Sequence, residues 1–511
     1  MTRIRKWLIL LHRYLGIGLG LLFVMWFVSG IGMIYAGGMP QLTQRARREH
    51  LPALDFAQVR LTPADAARRL DSTTGGGRII LLTILGRPAY RFGGAGTVFA
   101  DTGELLSDGG PSQAIMIAAR FMNLPKEAVH HERVVTRADQ WTIGQRGQLP
   151  LHKIRVDDAE HTELYVSTQL GEVVLSTTRG RRALAWVAAI PHWLYFAPLR
   201  LNDSLWRRVV LWTAGLGTIA ALIGLILAAI QFAPSAPFRL KRVGSYIPYA
   251  GWMRWHYLTG AVFGVFTLTW VFSGFLSLEP WGWALTEIPG GEIQAALTGG
   301  PMSLSEFPAI EAPTWNRMLS GRAIKQVELR RIQGDLYYVL QGVEATPLLV
   351  SASSSEIRRQ SFPTESLLSR VKEGYPDAPI LESALLSKYD AYYYARETEP
   401  PLPVLRVKFD DAGGNWLYVD PGTGQLVSAF SRRARVERWI YHGFHSLDFS
   451  FWYYNRPLWD IGVIALSLGG AMLSTIGVVI GFKRLRRGVR RIRTQHAHTT
   501  SDISELLAPR R

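Results

Sequence analysis

Residues 12–30, HRYLGIGLGLLFVMWFVSG, return at 256–274 as HYLTGAVFGVFTLTWVFSG. At this offset of 244, His12 aligns with His256, Gly16 with Gly260, Gly20 with Gly264, Trp26 with Trp270, and Ser29–Gly30 with Ser273–Gly274. Each stretch belongs to a charge-free apolar run, 14–36 or 257–278, long enough to cross a hydrocarbon core of about 30 Å at ~1.5 Å per residue. A repeat of this kind marks a duplicated chain, and a second alignment extends it. At an offset of 253, Pro150 meets Pro403, Asp157–Asp158 meets Asp410–Asp411, LYV at 164 meets LYV at 417, and Gly171 meets Gly424. The register runs on through Trp186 and Trp439, His192 and His445, Asn202 and Asn455, Trp206 and Trp459, Gly217 and Gly470, and Gly224 and Gly477. Each half reads as helix, outer domain, helix.

The wider composition agrees. The chain has 511 residues, 48% of them hydrophobic and 17 of them tryptophan, a balance that leans toward membrane proteins. Four charge-free apolar stretches, 14–36, 209–232, 257–278 and 461–482, predict four transmembrane helices. The first follows MTRIRK but is too long for a signal-peptide core, and no A-x-A site follows it, so it is expected to be retained. Three acid-free segments, 1–13, 233–256 and 483–494, hold most of the net charge of +17. They fall on one side of a four-span protein, which the positive-inside rule makes cytoplasmic. The basic pI therefore requires no nucleic acid, and the lipid bilayer is the partner that these segments touch.

The expected organisation is a membrane α+β protein with both termini cytoplasmic. Its parts are a first transmembrane helix (1–36), an outer domain (37–205), a second helix (206–232), a basic cytoplasmic loop (233–256), a third helix (257–278), a second outer domain (279–456), a fourth helix (457–482) and a basic tail (483–511). Each half crosses the membrane twice, so the four helices form two repeats related by a pseudo-twofold axis along the membrane normal. The outer domains read as β-rich, with runs such as RIILLTIL, LHKIRVDD and LPVLRVKFDD between glycine and proline turns. LYVSTQLGEVVLS and LYVDPGTGQLVSAF read as hairpins. Cysteine is absent, which excludes disulfides, iron–sulfur clusters and covalent C-x-x-C-H haem.

The duplication turns four histidines into two pairs. His12 and His256 both head an outward-going helix; His192 and His445 both precede an inward-returning one. A pseudo-twofold axis brings each pair together, one near each membrane face. A lone histidine at a membrane boundary is most often an anchor, but matched pairs at equal depth point to ligation. Zinc asks for three or four protein ligands, and no Cys, Asp or Glu stands beside these histidines in the helices. Haem supplies four nitrogens of its own and needs only axial ligands from the protein. His12, Gly16 and Gly20 share one helix face, as do His256, Gly260 and Gly264, and these glycines leave room for a flat macrocycle. The same stripes also read as a packing seam between helices.

Other residues carry two readings each. Arg13 and Arg254 flank the inner histidines as propionate partners or as ordinary topology signals. Trp26 and Trp270 stand between two haems or pack the bundle. His442, whose counterpart is Ala189, is an alternative ligand, a propionate partner or neither. The tyrosine-rich YDAYYYARETEPP at 389–401 lines a substrate groove or is an exposed loop.

The H-R-Y-L-G…W-F-V-S-G helix, its repeat, the L-Y-V-D-P-G-T-G hairpin and the closing W-I-Y-H-G-F-H-S-L-D-F segment resemble the PepSY-associated transmembrane helix family over nearly the whole chain before about residue 490. Members include bacterial inner-membrane reductases of iron–siderophore complexes. The resemblance implies two haem b groups, periplasmic PepSY-like domains, and His12, His256, His192 and His445 as axial ligands of the haem iron. The first half departs from the pattern, with I-P-H-W-L-Y-F where the second has H-G-F-H-S-L-D-F. The function expected is transmembrane electron transfer to a ferric siderophore. No G-x-G-x-x-G follows a strand, so the donor is membrane quinol or a separate cytoplasmic reductase. The alternative is a PepSY-type regulatory or peptide- and protease-binding membrane protein without redox activity. A transporter is the other rival, but the helices carry no proline break and almost no polar side chains at mid-membrane depth.

Overall fold

The four apolar stretches fold as long helices in a computed structural model that describes residues 3–70, 77–233, 238–240, 243–282, 288–344, 346–396 and 399–506. They are α1 (Arg3–Ala36), α2 (Asp203–Gln231), α3 (Trp252–Leu276) and α4 (Leu458–Leu506), and the first 31 residues of α4 are its apolar span. Part of the basic loop, Lys241 and Arg242 included, and the last residues of the tail lie outside the described residues.

The chain divides into two compact units. The first holds residues 1–39, 184–283 and 437–511 and is built on the four helices. Here α1 packs against α4 and α2, and α3 packs against the same two, so α1 and α3 face each other across the bundle. Small residues set the approach. A Cβ on Gly20 would stand 2.8 Å from Val478 Cγ2, and one on Gly264 would stand 2.8 Å from Leu225 Cδ2. Leu225 and Val478 are themselves 253 apart. Large apolar side chains such as Leu21, Val28 and Val262 point outward, as a lipid-facing surface requires.

The second unit holds 40–183 and 284–436. Its strands from the first half are β1 (Ile79–Ile84), β2 (Arg87–Phe92), β3 (Gly96–Phe99), β4 (Val129–Val135), β5 (Leu151–Val156), β6 (Glu163–Ser167) and β7 (Glu172–Thr177). Those from the second half are β8 (Gln326–Ile332), β9 (Asp335–Gln341), β10 (Leu348–Ser351), β11 (Ile357–Arg358), β12 (Ile380–Leu386), β13 (Val404–Phe409), β14 (Trp416–Asp420) and β15 (Gln425–Phe430). Each half builds a four-stranded antiparallel meander, β4-β5-β6-β7 or β12-β13-β14-β15. A helix from the segment just before it, Gly110–Met122 or Thr364–Gly374, covers one face. Ile154, Val156, Leu164 and Val166 form the first covered face, and Val407, Phe409, Leu417 and Val419 the second. These eight positions pair at the offset of 253.

A third sheet joins the halves, and the local sequence does not announce it. It has seven strands in the order β11-β10-β9-β8-β1-β2-β3. The two halves meet where β1 pairs with β8 antiparallel, with Ile79 opposite Leu329, Ile80 opposite Glu328 and Leu81 opposite Val327. At an offset of 248, which aligns the turns Leu85–Gly86 and Gln333–Gly334, this register maps onto itself about the Ile80–Glu328 pair. Both turn residues have positive φ in each hairpin, the backbone of a tight two-residue loop. One face of this sheet buries Trp315, Phe56, Tyr90 and Tyr338. The two outer domains expected from the sequence thus fold as one compact unit. That unit ends at Ala183 and Val436, so the stretches 184–205 and 437–456 go with the helices, although the sequence reading assigned them to the outer domains.

Candidate functional site

The helix unit brings the four histidines together in two pairs. The His12 and His256 ring centroids lie 6.2 Å apart, and those of His192 and His445 lie 6.0 Å apart. Two imidazoles on opposite sides of one metal, with metal–nitrogen bonds of about 2.0–2.1 Å, place their centroids about 6 Å apart. Along α1 the two sites are well separated. Seventeen residues run from His12 to Ser29, which touches His192, a rise of about 25 Å.

Three of the four imidazoles are held from behind by a backbone hydrogen bond, and the fourth faces a carbonyl. His12 Nδ1 bonds the Ala220 carbonyl of α2 at 2.9 Å. His256 Nδ1 is buried and faces the Leu473 carbonyl of α4, without completing hydrogen-bond geometry. Ala220 and Leu473 are 253 apart. In the other pair, His192 Nδ1 bonds the Trp26 carbonyl and Ser29 Oγ, both at 3.2 Å. His445 Nδ1 bonds the Trp270 carbonyl at 3.1 Å and Ser273 Oγ at 3.0 Å. A carbonyl only accepts, so Nδ1 carries the proton and Nε2 is left bare, the arrangement that fixes a ligand tautomer.

Glycine makes these approaches possible, but not chiefly the glycines that the sequence singled out. A Cβ on Gly224 would stand 2.8 Å from His12 Cε1, and one on Gly477 would stand 3.3 Å from His256 Cε1. Gly30 and Gly274 meet His192 and His445 in the same way, at 3.4 and 3.7 Å. Gly20 and Gly264 belong to the packing seam described above. Gly16 has nothing within 4 Å of its Cβ position, and the first contact at Gly260 is Leu473 Cδ1 at 3.6 Å, so these two do leave space beside the inner histidines.

The short helices that carry His192 and His445, Ala189–His192 and Phe444–Ser446, are tied to the long helix that follows each. The Trp206 indole N–H donates to the Trp193 carbonyl at 2.9 Å, and the Trp459 indole donates to the Ser446 carbonyl at 3.2 Å and the Leu447 carbonyl at 3.1 Å. Both tryptophans stand in the first turn of their helices, four residues after Asn202 and Asn455. The repeat alignment matched them without showing this task.

The remaining candidates divide. Arg13 is half-buried and Arg254 exposed, and neither guanidinium has a hydrogen-bond or ion-pair partner among the described residues. They are cations near the inner pair with no internal carboxylate to neutralise them. Trp26 and Trp270 contribute their carbonyls to the outer histidines, and their rings pack on Phe23 and Phe27 at 5.9 and 5.8 Å. His442 stacks edge-on against Tyr441 at 5.0 Å and is not one of the paired imidazoles. The tyrosine-rich segment folds onto the meander of its own half. Tyr393 is buried and stacks on Tyr418 at 4.9 Å, and Asp390 accepts from the Tyr418 hydroxyl and from Arg406. Glu397 and Thr398 of that segment lie outside the described residues. Among the described residues, no group of three or more His, Asp or Glu side chains gathers to hold a metal ion.

Comparison with known proteins adds the family. The chain belongs to the PepSY-associated TM region family, whose sequence profile matches residues 9–337. The matched range takes in His12, His192 and His256 and ends before His445. No curated protein matches the chain.

Proposed function

We propose that this member of the PepSY-associated family is a di-haem electron-transfer protein of the bacterial inner membrane that reduces a ferric siderophore on the outer side and so frees its iron. The observation that carries the reading is the spacing of the paired rings, 6.2 and 6.0 Å, which suits one metal held between two imidazoles. The chemistry of the donor set agrees, since two neutral nitrogens per site complete a haem and do not complete a zinc site. Bound between each pair, a haem b would supply one-electron chemistry.

This chain's residues do the rest. Ala220, Trp26 and Trp270 accept the Nδ1 protons and so present Nε2 of His12, His192 and His445 as ligands; His256, facing Leu473, is read the same way. Gly224, Gly477, Gly30 and Gly274 let the facing helices close on the rings. Arg13 and Arg254 offer positive charge to carboxylates at the inner end. Matching contacts at the offsets of 244, 248 and 253 support reading the halves as pseudo-twofold repeats. Positive charge at the helix ends supports cytoplasmic termini and a periplasmic position for the β-rich segments. With no nucleotide-binding fingerprint in the sequence, membrane quinol or a cytoplasmic reductase is the donor.

The test is direct. Protein purified in detergent should be red, with a low-spin bis-histidine spectrum and about two extractable haems per chain, in line with two ligand pairs. After reduction, adding a ferric siderophore should reoxidise it and release ferrous iron to a chelator. A folded, colourless protein contradicts the reading and favours the regulatory alternative.

A further inference from the structure

His192 and His445 have matching Nδ1 partners, each a tryptophan carbonyl and a serine hydroxyl, but different neighbours. The Tyr441 ring stacks on His445 with centroids 5.1 Å apart and planes inclined by 23°. At the matching place beside His192 stands Ala188, fully buried, with its Cβ 2.8 Å from where a Cβ on Gly32 would lie. No ring fits that gap. The first half closes small residue on small residue, whereas the second has Leu276 and Tyr441 at the two matching positions.

The backbone that carries Tyr441 is also particular to the second half. Trp439–Gly443 is a π-helical turn, a form whose extra residue re-aims side chains and which recurs at functional sites. A buried charge pair closes the segment. Arg438 Nη1 donates to the Asp448 carbonyl at 2.9 Å, and Nη2 lies 3.5 Å from its carboxylate. Both residues are nearly sealed from solvent, at 5% and 1% exposure, and the Arg438 guanidinium lies 4.3 Å from the Trp439 ring centroid. Ala185 and Tyr195 hold the matching positions in the first half, so that pair is missing there.

A hydrogen bond at Nδ1 and a metal at Nε2 together orient an imidazole, with some rotation of its plane left within the play of that hydrogen bond. A flat ring stacked on one face narrows that play further. We infer that Tyr441 is a positioning residue that sets the plane of the His445 imidazole, making the two ligands of the outer pair inequivalent; this rests on the haem reading above. The angle between two axial imidazole planes governs the splitting of the iron d orbitals, and neighbours of a ligand tune its metal. The outer pair is inclined by 64° and the inner by 41°, so the two sites should give different low-spin signals.

The experiment uses full-length protein in detergent, oxidised, with electron paramagnetic resonance and a redox titration of haem absorbance. Tyr441→Phe keeps the stack and should leave both low-spin signals and both potentials unchanged. Tyr441→Ala should shift one signal, the one that His445→Ala abolishes, and leave the other in place with two haems still bound. Loss of the outer haem in Tyr441→Ala, with Tyr441→Phe unchanged, is the same result in stronger form. Unmoved signals in Tyr441→Ala overturn the inference, and so does a Tyr441→Phe shift as large as that of Tyr441→Ala. A wild type with two haems and no response at Tyr441 overturns this inference alone, while a wild type without haem overturns the site reading with it.

Discussion

At the residue scale, each paired imidazole is defined by what stands behind it. Gly224 and Gly477 are the sharpest handles, because any side chain there enters space held by His12 or His256. Gly224→Val should displace His12 and lower bound haem from two per chain to one, read by pyridine haemochrome, while the outer signal stays. Gly16→Leu should lower haem content less, since its Cβ points into open space that only a long side chain fills. The pairing of the histidines was legible in the sequence, because identical residues at a constant offset survive any loop between them. Their immediate partners were not. Ala220, Leu473, Trp26 and Trp270 act through backbone carbonyls, and every residue has one. Gly30 and Gly274 stood in the alignment, but their closeness to His192 and His445 depends on how one helix meets a segment far away in the chain.

At the element scale, the Trp206 and Trp459 indoles join each outer histidine segment to its following helix. Trp459→Phe keeps an aromatic ring but removes the donor, leaving the part-buried Ser446 and buried Leu447 carbonyls short of a hydrogen bond. It should cost about 1 kcal/mol and loosen the outer haem more than the inner, measured as haem released during thermal unfolding. In the β-rich unit, Gly334 has a φ of 95°, a conformation that L side chains avoid, and open space around its Cβ position. Gly334→Ala should therefore cost about 1 kcal/mol through the backbone alone. The hairpins and meanders were legible from alternation and turn residues. The β1–β8 pairing was not, because strands in separate halves carry no local sign of which edge they will meet. Its register is symmetric about Ile80 and Glu328, which lie the same 248 residues apart as the Leu85–Gly86 and Gln333–Gly334 turns.

At the scale of the whole molecule, matching contacts at constant sequence offsets recur in both units, though departures from them are as informative as matches. Glu328, opposite Ile80 at the centre of the seven-stranded sheet, is one departure. Burial works to raise its carboxyl pKa, but hydrogen bonds from Arg330 and Arg78, both at 2.6 Å, outweigh it and hold the group below its ordinary value of 4.5. A lowered pKa in the folded state adds stability that is complete above pH 4.5 and is lost as pH falls through the folded value. Glu328→Gln should thus destabilise the β-rich unit by about 2 kcal/mol at pH 7. The gap from wild type should narrow below pH 4.5, followed by denaturant titration at each pH. Four candidate spans were legible from the apolar stretches, and the family from the resemblance of the repeated helix, the L-Y-V-D-P-G-T-G hairpin and the closing W-I-Y-H-G-F-H-S-L-D-F segment. The fusion of both outer segments into one unit was not, since it depends on that central strand pair. Whether each site is shared between the halves is decided by comparing His256→Ala with His445→Ala through their haem spectra. One haem should remain in each, and a different one. In His256→Ala the remaining haem still passes electrons from an added reductant to a ferric chelate. In His445→Ala it is still reduced by the physiological donor but cannot pass electrons to the chelate. If both variants lose the same haem, the ligands pair within a half and neither site is shared between the halves.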